Sequence, residues 1–97
     1  MPARSWLGSV VLESAVEKVF AQRVRDLGGL SWKFAPLTAG NPDRLVMMPN
    51  GVLLLVEIKA DDGKLDPPQV LWHRRARELS TTVQVVTGAA EARAWTP

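Results

Sequence analysis

The chain contains no cysteine and a single histidine among its 97 residues. Without cysteine there is no disulfide framework and no thiolate zinc site, and one imidazole is too few for a histidine-based metal centre. The missing cysteine fits a reducing compartment, so a cytoplasmic protein is the expectation. No apolar run approaches the roughly 20 residues of a membrane span, and the N-terminus lacks the layout of a signal peptide; a soluble chain with no membrane partner is expected. Internal repeats, low-complexity tracts and linkers are also missing. Residues 1–97 therefore read as one domain, with 1–9 as an N-terminal arm, and the length allows one modest core but not two.

With 46% hydrophobic and 23% charged residues, what is present is ordinary globular material. The net charge of +2 and the pI near 9.5 lean toward a polyanionic partner. Placement says more: Lys59, Lys64, His73, Arg74, Arg75 and Arg77 fall together in the second half. That cluster either engages phosphates or forms a solvated helix face.

Residues 51–60, Gly-Val-Leu-Leu-Leu-Val-Glu-Ile-Lys-Ala, are aliphatic and β-branched and follow an Asn50-Gly51 turn signal, which predicts a core strand. Alternation puts Leu53, Leu55, Glu57 and Lys59 on one face and Leu54, Val56, Ile58 and Ala60 on the other. An acid and a lysine inside such a run are costly to bury unless paired or bound to a cation. Residues 43–48 read as a second strand, entered from Asn41-Pro42 and joined to the first by Pro49-Asn50-Gly51. In that antiparallel hairpin Asp43 comes to lie near Glu57 and Lys59. Two carboxylates meeting there are hard oxygen ligands suited to Mg²⁺. Such an ion can activate water and offset charge on a phosphorane, with Lys59 orienting the water or stabilising that charge.

Around this hairpin the periodicity changes. Leu12, Val16, Val19, Phe20, Val24 and Leu27 predict a helix over residues 10–27 that stops at Gly28-Gly29. Glu13 and Glu17, four apart at the edge of its apolar stripe, either project toward the sheet or are plain surface charge. Residues 30–35 read as the first strand, with Trp32 and Phe34 in the core and Lys33 facing the other way, toward substrate phosphate. Gly40 allows close backbone approach just before Asp43, and Thr38 and Asn41 are weaker contact candidates. Asp66-Pro67-Pro68-Gln69 is a capping-box opening for a second helix, whose Trp72, Ala76 and Leu79 are expected to pack on the sheet while Arg74, Arg75 and Arg77 stay wet. Residues 81–87 form a last strand. Residues 89–95 form a short helix whose Trp95 covers an edge or a subunit contact. The fold class is α/β, helix, three strands, helix, strand, with a mixed sheet.

Pro42-Asp43 followed by Glu57-Ile58-Lys59 resembles the PD-(D/E)XK nuclease pattern. The ordered series narrows the match: a glutamate-bearing first helix, Leu27-Gly28-Gly29, Trp32-Lys33-Phe34, Gly40-Asn41-Pro42-Asp43-Arg44, Glu57-Ile58-Lys59-Ala60 and a helix opening near Gln69. Over residues 10–88 the chain resembles a stand-alone virus-type replication-repair nuclease (VRR-NUC) domain. The resemblance implies a restriction-endonuclease-like α-β-β-β-α-β core and a Mg²⁺- or Mn²⁺-dependent DNA endonuclease. It implies a homodimer that acts on branched DNA such as Holliday junctions and leaves 5′-phosphate and 3′-hydroxyl ends. Asp43, Glu57 and the Ile58 backbone carbonyl would hold the metal, Lys59 would assist the water, and a first-helix acid would complete the site. Spacing from the glycine pair favours Glu13 against VRR-NUC sequences and Glu17 against archaeal junction resolvases. Gln69 would lie near the site, or serve only as a helix cap. Lys33, Arg44, Lys64, His73, Arg74 and Arg77 are the candidate DNA contacts. The rival readings are a non-catalytic DNA-binding module of the same fold and a site-specific restriction-type nuclease, for which no base-reading region is evident.

Overall fold

The computed structural model describes residues 12–35 and 38–97. The expected arm and the expected helix start at Val10 lie outside them. Leu12 is extended (φ −67°, ψ 145°), so helix α1 starts at Glu13 and runs Glu13–Asp26. Val16, Phe20 and Val24, each one turn apart, are completely buried. The helix stops where Gly28 adopts φ +88°, with the Gly28 and Gly29 amides donating to Arg25 and Val24 carbonyls at 2.9 Å.

Four strands follow, β1 (Leu30–Lys33), β2 (Arg44–Met48), β3 (Val52–Lys59) and β4 (Val83–Thr87), in the spatial order β1-β2-β3-β4. The first three form an antiparallel meander, and β4 pairs in parallel with β3 after helix α2 (Pro67–Glu78). A 3-10 turn at Pro49–Gly51, with Asn50 at φ 69°, joins β2 to β3. A final helix α3, Gly88–Ala94, ends at Trp95. The expected mixed sheet and element order are observed.

Register separates two unlike faces. Arg44, Val46 and Met48 lie opposite Val56, Leu54 and Val52. With Ile58 and Val86 their apolar members meet α1 and α3 to make the core. Trp95 belongs to this core: its ring meets Phe20 edge-on at 5.0 Å and its indole N–H donates to Gln84 Oε1 at 2.8 Å. It therefore does not cover an edge or a subunit contact, because both ends of the amphipathic indole are satisfied inside the fold. Helix α2 lies on the opposite face, the side of Glu57. The residues it buries are His73 and Ala76, while Leu79 is 79% exposed. The packing stripe is thus rotated from the expected Trp72-Ala76-Leu79 line, since a histidine takes the inward position. Helix α2 leaves the β1–β2 half of this face uncovered, so Leu30, Trp32, Met47 and Leu53 stay 41 to 62% exposed. Trp32 is accordingly not a core residue.

Candidate active site

Asp43 enters the sheet behind the buried Pro42, one residue before β2 begins. Its carbonyl accepts the Phe34 amide at 2.7 Å, which ties it to the end of β1. Its Oδ2 accepts the Ile58 amide at 2.8 Å. The last β2–β3 pair is Arg44 with Val56, so the Asp43 side chain extends the ladder beyond the strand and stands beside the end of β3.

Glu57 is 1% exposed. Its Oε2 accepts the Gln69 amide N–H at 3.0 Å and lies 4.0 Å from Lys59 Nζ; its Oε1 is buried with no hydrogen-bond partner. Burial pushes this carboxyl up to about 8, aided by the adjoining Asp43 carboxyl, against the opposing pull of Lys59. A carboxyl so buried beside a second carboxyl is stabilised by nearby positive charge. Gln69 answers both expectations made of it. Its Oε1 accepts the Asp66 amide at 2.9 Å and its own amide donates to Asp66 Oδ1 at 3.1 Å, completing the capping box, while its Nε2 holds Glu57.

The two first-helix acids part company. Glu13 is raised from the usual carboxylate range by burial and then by Asp43, with Lys59 opposing, and Glu57 in turn feels Glu13. Glu13 is exposed at the start of α1, on the side of the molecule where the charges of Asp43 and Lys59 act on it. Glu17, one turn on, is 7% exposed and lies 3.3 Å from Lys33 Nζ and 3.5 Å from Arg44 Nε. A cleft of about 360 Å³ opens beside Asp43 and Gln69, with Phe34, Gly40, Asn41 and Pro42 in its wall. Gly40, at φ +84°, packs so tightly on the Pro68 carbonyl that a Cβ there would collide with it.

No protein-family profile matches the chain. Among curated proteins, "Putative nuclease p44" of Acyrthosiphon pisum secondary endosymbiont phage 1 is 40% identical over 78 residues, which span 79% of this chain and 84% of that one. A solved structure described as a VRR_NUC domain matches with a TM-score of 0.73 at 35% identity, covering 82% of this chain and 88% of its own. The chain belongs to the VRR-NUC nuclease family.

A nuclease of VRR-NUC type goes with a divalent metal cofactor in general. The residues here fit one: Asp43 and Glu57 offer adjacent carboxylates, and the unpartnered Glu57 Oε1 is a buried acceptor with nothing to accept. Among the described residues, no three acidic or imidazole side chains stand together closely enough to hold a metal ion, so the fit rests on this pair. Asp43, Glu57, Lys59 and Gln69 are thus brought together at one end of β3.

Two of the expected DNA contacts are corrected. His73 is 5% exposed on the sheet side of α2, and the Arg44 side chain, 12% exposed, is turned inward to Glu17 and to Ser31, whose Oγ accepts from it at 2.6 Å. Neither reaches outward to a phosphate. The Lys33 side chain is 64% exposed despite its contact with Glu17, and Lys64, Arg74 and Arg77 are exposed. Ser31 had no signal in the sequence; its part follows only from the register that sets β1 beside Arg44. No helix among the described residues is long and apolar enough to cross a membrane.

Proposed function

We propose that this VRR-NUC nuclease is a Mg²⁺- or Mn²⁺-dependent DNA endonuclease that hydrolyses phosphodiester bonds in branched DNA such as four-way junctions. The observation that carries the reading is the buried Glu57 carboxyl at the end of β3, held by Gln69 at 3.0 Å, 4.0 Å from Lys59 Nζ and with Oε1 free to accept.

Asp43, Glu57 and the Ile58 carbonyl would hold the metal, with Glu13 beside them. The ion would supply Lewis acidity and charge, acidifying a water and offsetting negative charge on the phosphoryl oxygens. The protein's own groups do the rest. Gln69 keeps the Glu57 carboxylate turned toward the site. The Ile58 amide orients Asp43. Lys59 donates to the attacking water and sets its line of approach, or meets charge developing on phosphorus. Lys33, at the mouth, offers an exposed cation to a neighbouring phosphate, and Lys64, Arg74 and Arg77 extend that surface.

The anatomy of the described residues supports a preference for a branched shape over a base sequence. Three helices and one sheet account for the described residues, leaving no separate element for the grooves. A two-fold dimer would present two sites to two strands. The open half of the sheet suits such a partner. Leu30, Met47 and Leu53 are consecutive cross-strand neighbours with Trp32 beside them, and α2 presents Leu71 and Leu79 as an unpaired apolar ridge. A second copy would match helix to bare sheet twice. Its contact would cover apolar surface on the order of the few hundred Å² that a monomer rarely leaves open. The cytoplasm, of a bacterium or a phage-infected cell, is the compartment proposed.

Labelled four-way junction, flap, single-stranded and linear duplex DNA, incubated with Mg²⁺, Mn²⁺ or EDTA, test the reading. Metal-dependent cutting with the junction ranked first is the expected result. Intact DNA binding without any cutting would favour the non-catalytic module instead, and site-specific cutting of duplex would favour a restriction-type enzyme.

A further inference from the structure

We propose that Glu17 is a positioning residue and not a metal ligand: its carboxylate, held between Lys33 and Arg44, locks α1 onto the β1–β2 edge and so sets where Glu13 stands relative to Asp43. What Glu13 and Asp43 then do rests on the nuclease reading above; the anchoring does not.

Each Glu17 oxygen faces a cation, Oε2 toward Lys33 at 3.3 Å and Oε1 toward Arg44 Nε at 3.5 Å. The Arg44 guanidinium also donates to Ser31 Oγ at 2.6 Å, which fixes its fork across β1. A divalent ion that captured Glu17 would leave Arg44 buried without its counter-charge, an expensive arrangement. The grip falls on the residues that flank Asp43. Arg44 follows Asp43 in the chain, and Lys33 precedes Phe34, whose amide donates to the Asp43 carbonyl at 2.7 Å.

Position along α1 does the rest. Glu13 lies one turn before Glu17 on the same line of the helix. The N-cap, Leu12, makes no side-chain cap, so among the described residues no capping hydrogen bond fixes the first turn. The apolar contacts of Val16, Phe20 and Val24 hold α1 against the sheet but are non-directional and tolerate sliding. The Lys33 hydrogen bond to Glu17 Oε2 at 3.3 Å and the Arg44 charge 3.5 Å from Oε1, an ion pair without a hydrogen bond, tie the helix to one place on the sheet and favour one register.

The test compares Glu17→Gln, Glu13→Gln and the charge swap Glu17→Arg with Arg44→Glu, in the full chain. Three readouts are taken: the Arg44 Nε–H resonance by ¹⁵N NMR, Mn²⁺ affinity by calorimetry without DNA, and kcat and KM at saturating Mn²⁺. Glu17→Gln should shift the Arg44 resonance, weaken Mn²⁺ binding by no more than about threefold and lower kcat about tenfold with KM little changed. The swap should restore part of that kcat. Glu13→Gln should weaken Mn²⁺ binding by about tenfold or more and leave the Arg44 resonance in place. Equal loss of Mn²⁺ binding in the two single variants would make Glu17 a ligand and overturn the proposal. So would an unmoved Arg44 resonance with wild-type kcat. If the unaltered protein neither binds Mn²⁺ nor cuts, yet the resonance responds to Glu17→Gln, the nuclease reading fails while the anchor stands.

Discussion

Glu17 and Glu57 are both nearly sealed from solvent, yet they sit in opposite electrostatic settings. Two cations converge on Glu17 at 3.3 and 3.5 Å. Around Glu57 the nearby cation is Lys59 at 4.0 Å and a second carboxyl adjoins it, while in both acids Oε1 lacks a hydrogen-bond partner. Burial is the same expense for both charges; what differs is whether the fold supplies the counter-charge itself. Where it does, the carboxylate becomes a fastening. Where it supplies less, the carboxyl's proton affinity rises, and a cation from outside would relieve the cost, as the proposed metal role requires.

The sharpest way to break this contrast is at the acidic pair. Asp43→Asn and Lys59→Ala should each lower cleavage by about 10³-fold or more, against the roughly tenfold expected at Glu17, as measured in single-turnover assays on labelled junction DNA. Comparable losses at all three positions would erase the distinction. Next in size, Gln69→Ala removes a support of Glu57 and should cost about 10- to 100-fold in metal affinity or activity. Because it also removes half of a capping box, a fall in melting temperature from a loss on the order of 1 kcal/mol should accompany it. Activity lost without any change in melting temperature would separate the two tasks of this side chain.

Proton counting sharpens the comparison further. Glu57, with its carboxyl up at about 8, should give up a proton when a divalent ion binds near neutral pH. The apparent binding enthalpy of Mn²⁺ should then scale with the ionisation enthalpy of the buffer, and Glu57→Gln should remove most of that dependence. The smallest effect concerns the protein in EDTA. An acid whose value is raised in the folded state from 4.5 to about 8 contributes stability that is fully present below 4.5 and lost as pH rises through 8. The metal-free melting temperature should therefore drift down between pH 5 and 8 on account of Glu57, and added Mn²⁺ should oppose the drift. A flat profile in EDTA would mean that Glu57 ionises as freely as a solvated carboxylate.

Local chemistry was legible in the chain wherever a short segment decides it. The alternation of residues 52–59, the Asn50-Gly51 turn, the glycine stop after α1 and the Asp66-Gln69 box are all near-neighbour features, and the structure has each of them. What escaped depended on three-dimensional register. Glu13 and Glu17 share a helical line, and only the placement of Lys33 and Arg44 across the sheet tells them apart. His73 lies inside while Leu79 lies outside because α2 sits rotated over β3 and β4, which hydropathy assigns the other way round. Trp32 looks like core from its size alone. It stays half exposed because no helix crosses that part of the sheet.

The Gln69 amide has a further consequence in time. Its oxygen belongs to the first turn of a helix and its nitrogen to the acid at the heart of the site. Helix ends open and close far more often than the whole protein unfolds. Each such opening at α2 would release the Gln69 hydrogen bond to Glu57, coupling the order of that carboxyl to the order of one helical turn. Pro67 and Pro68, with their fixed φ, and Gly40, wedged against the Pro68 carbonyl, lengthen that lifetime. Residues with no reactive group thus govern how long the reactive ones stay in register.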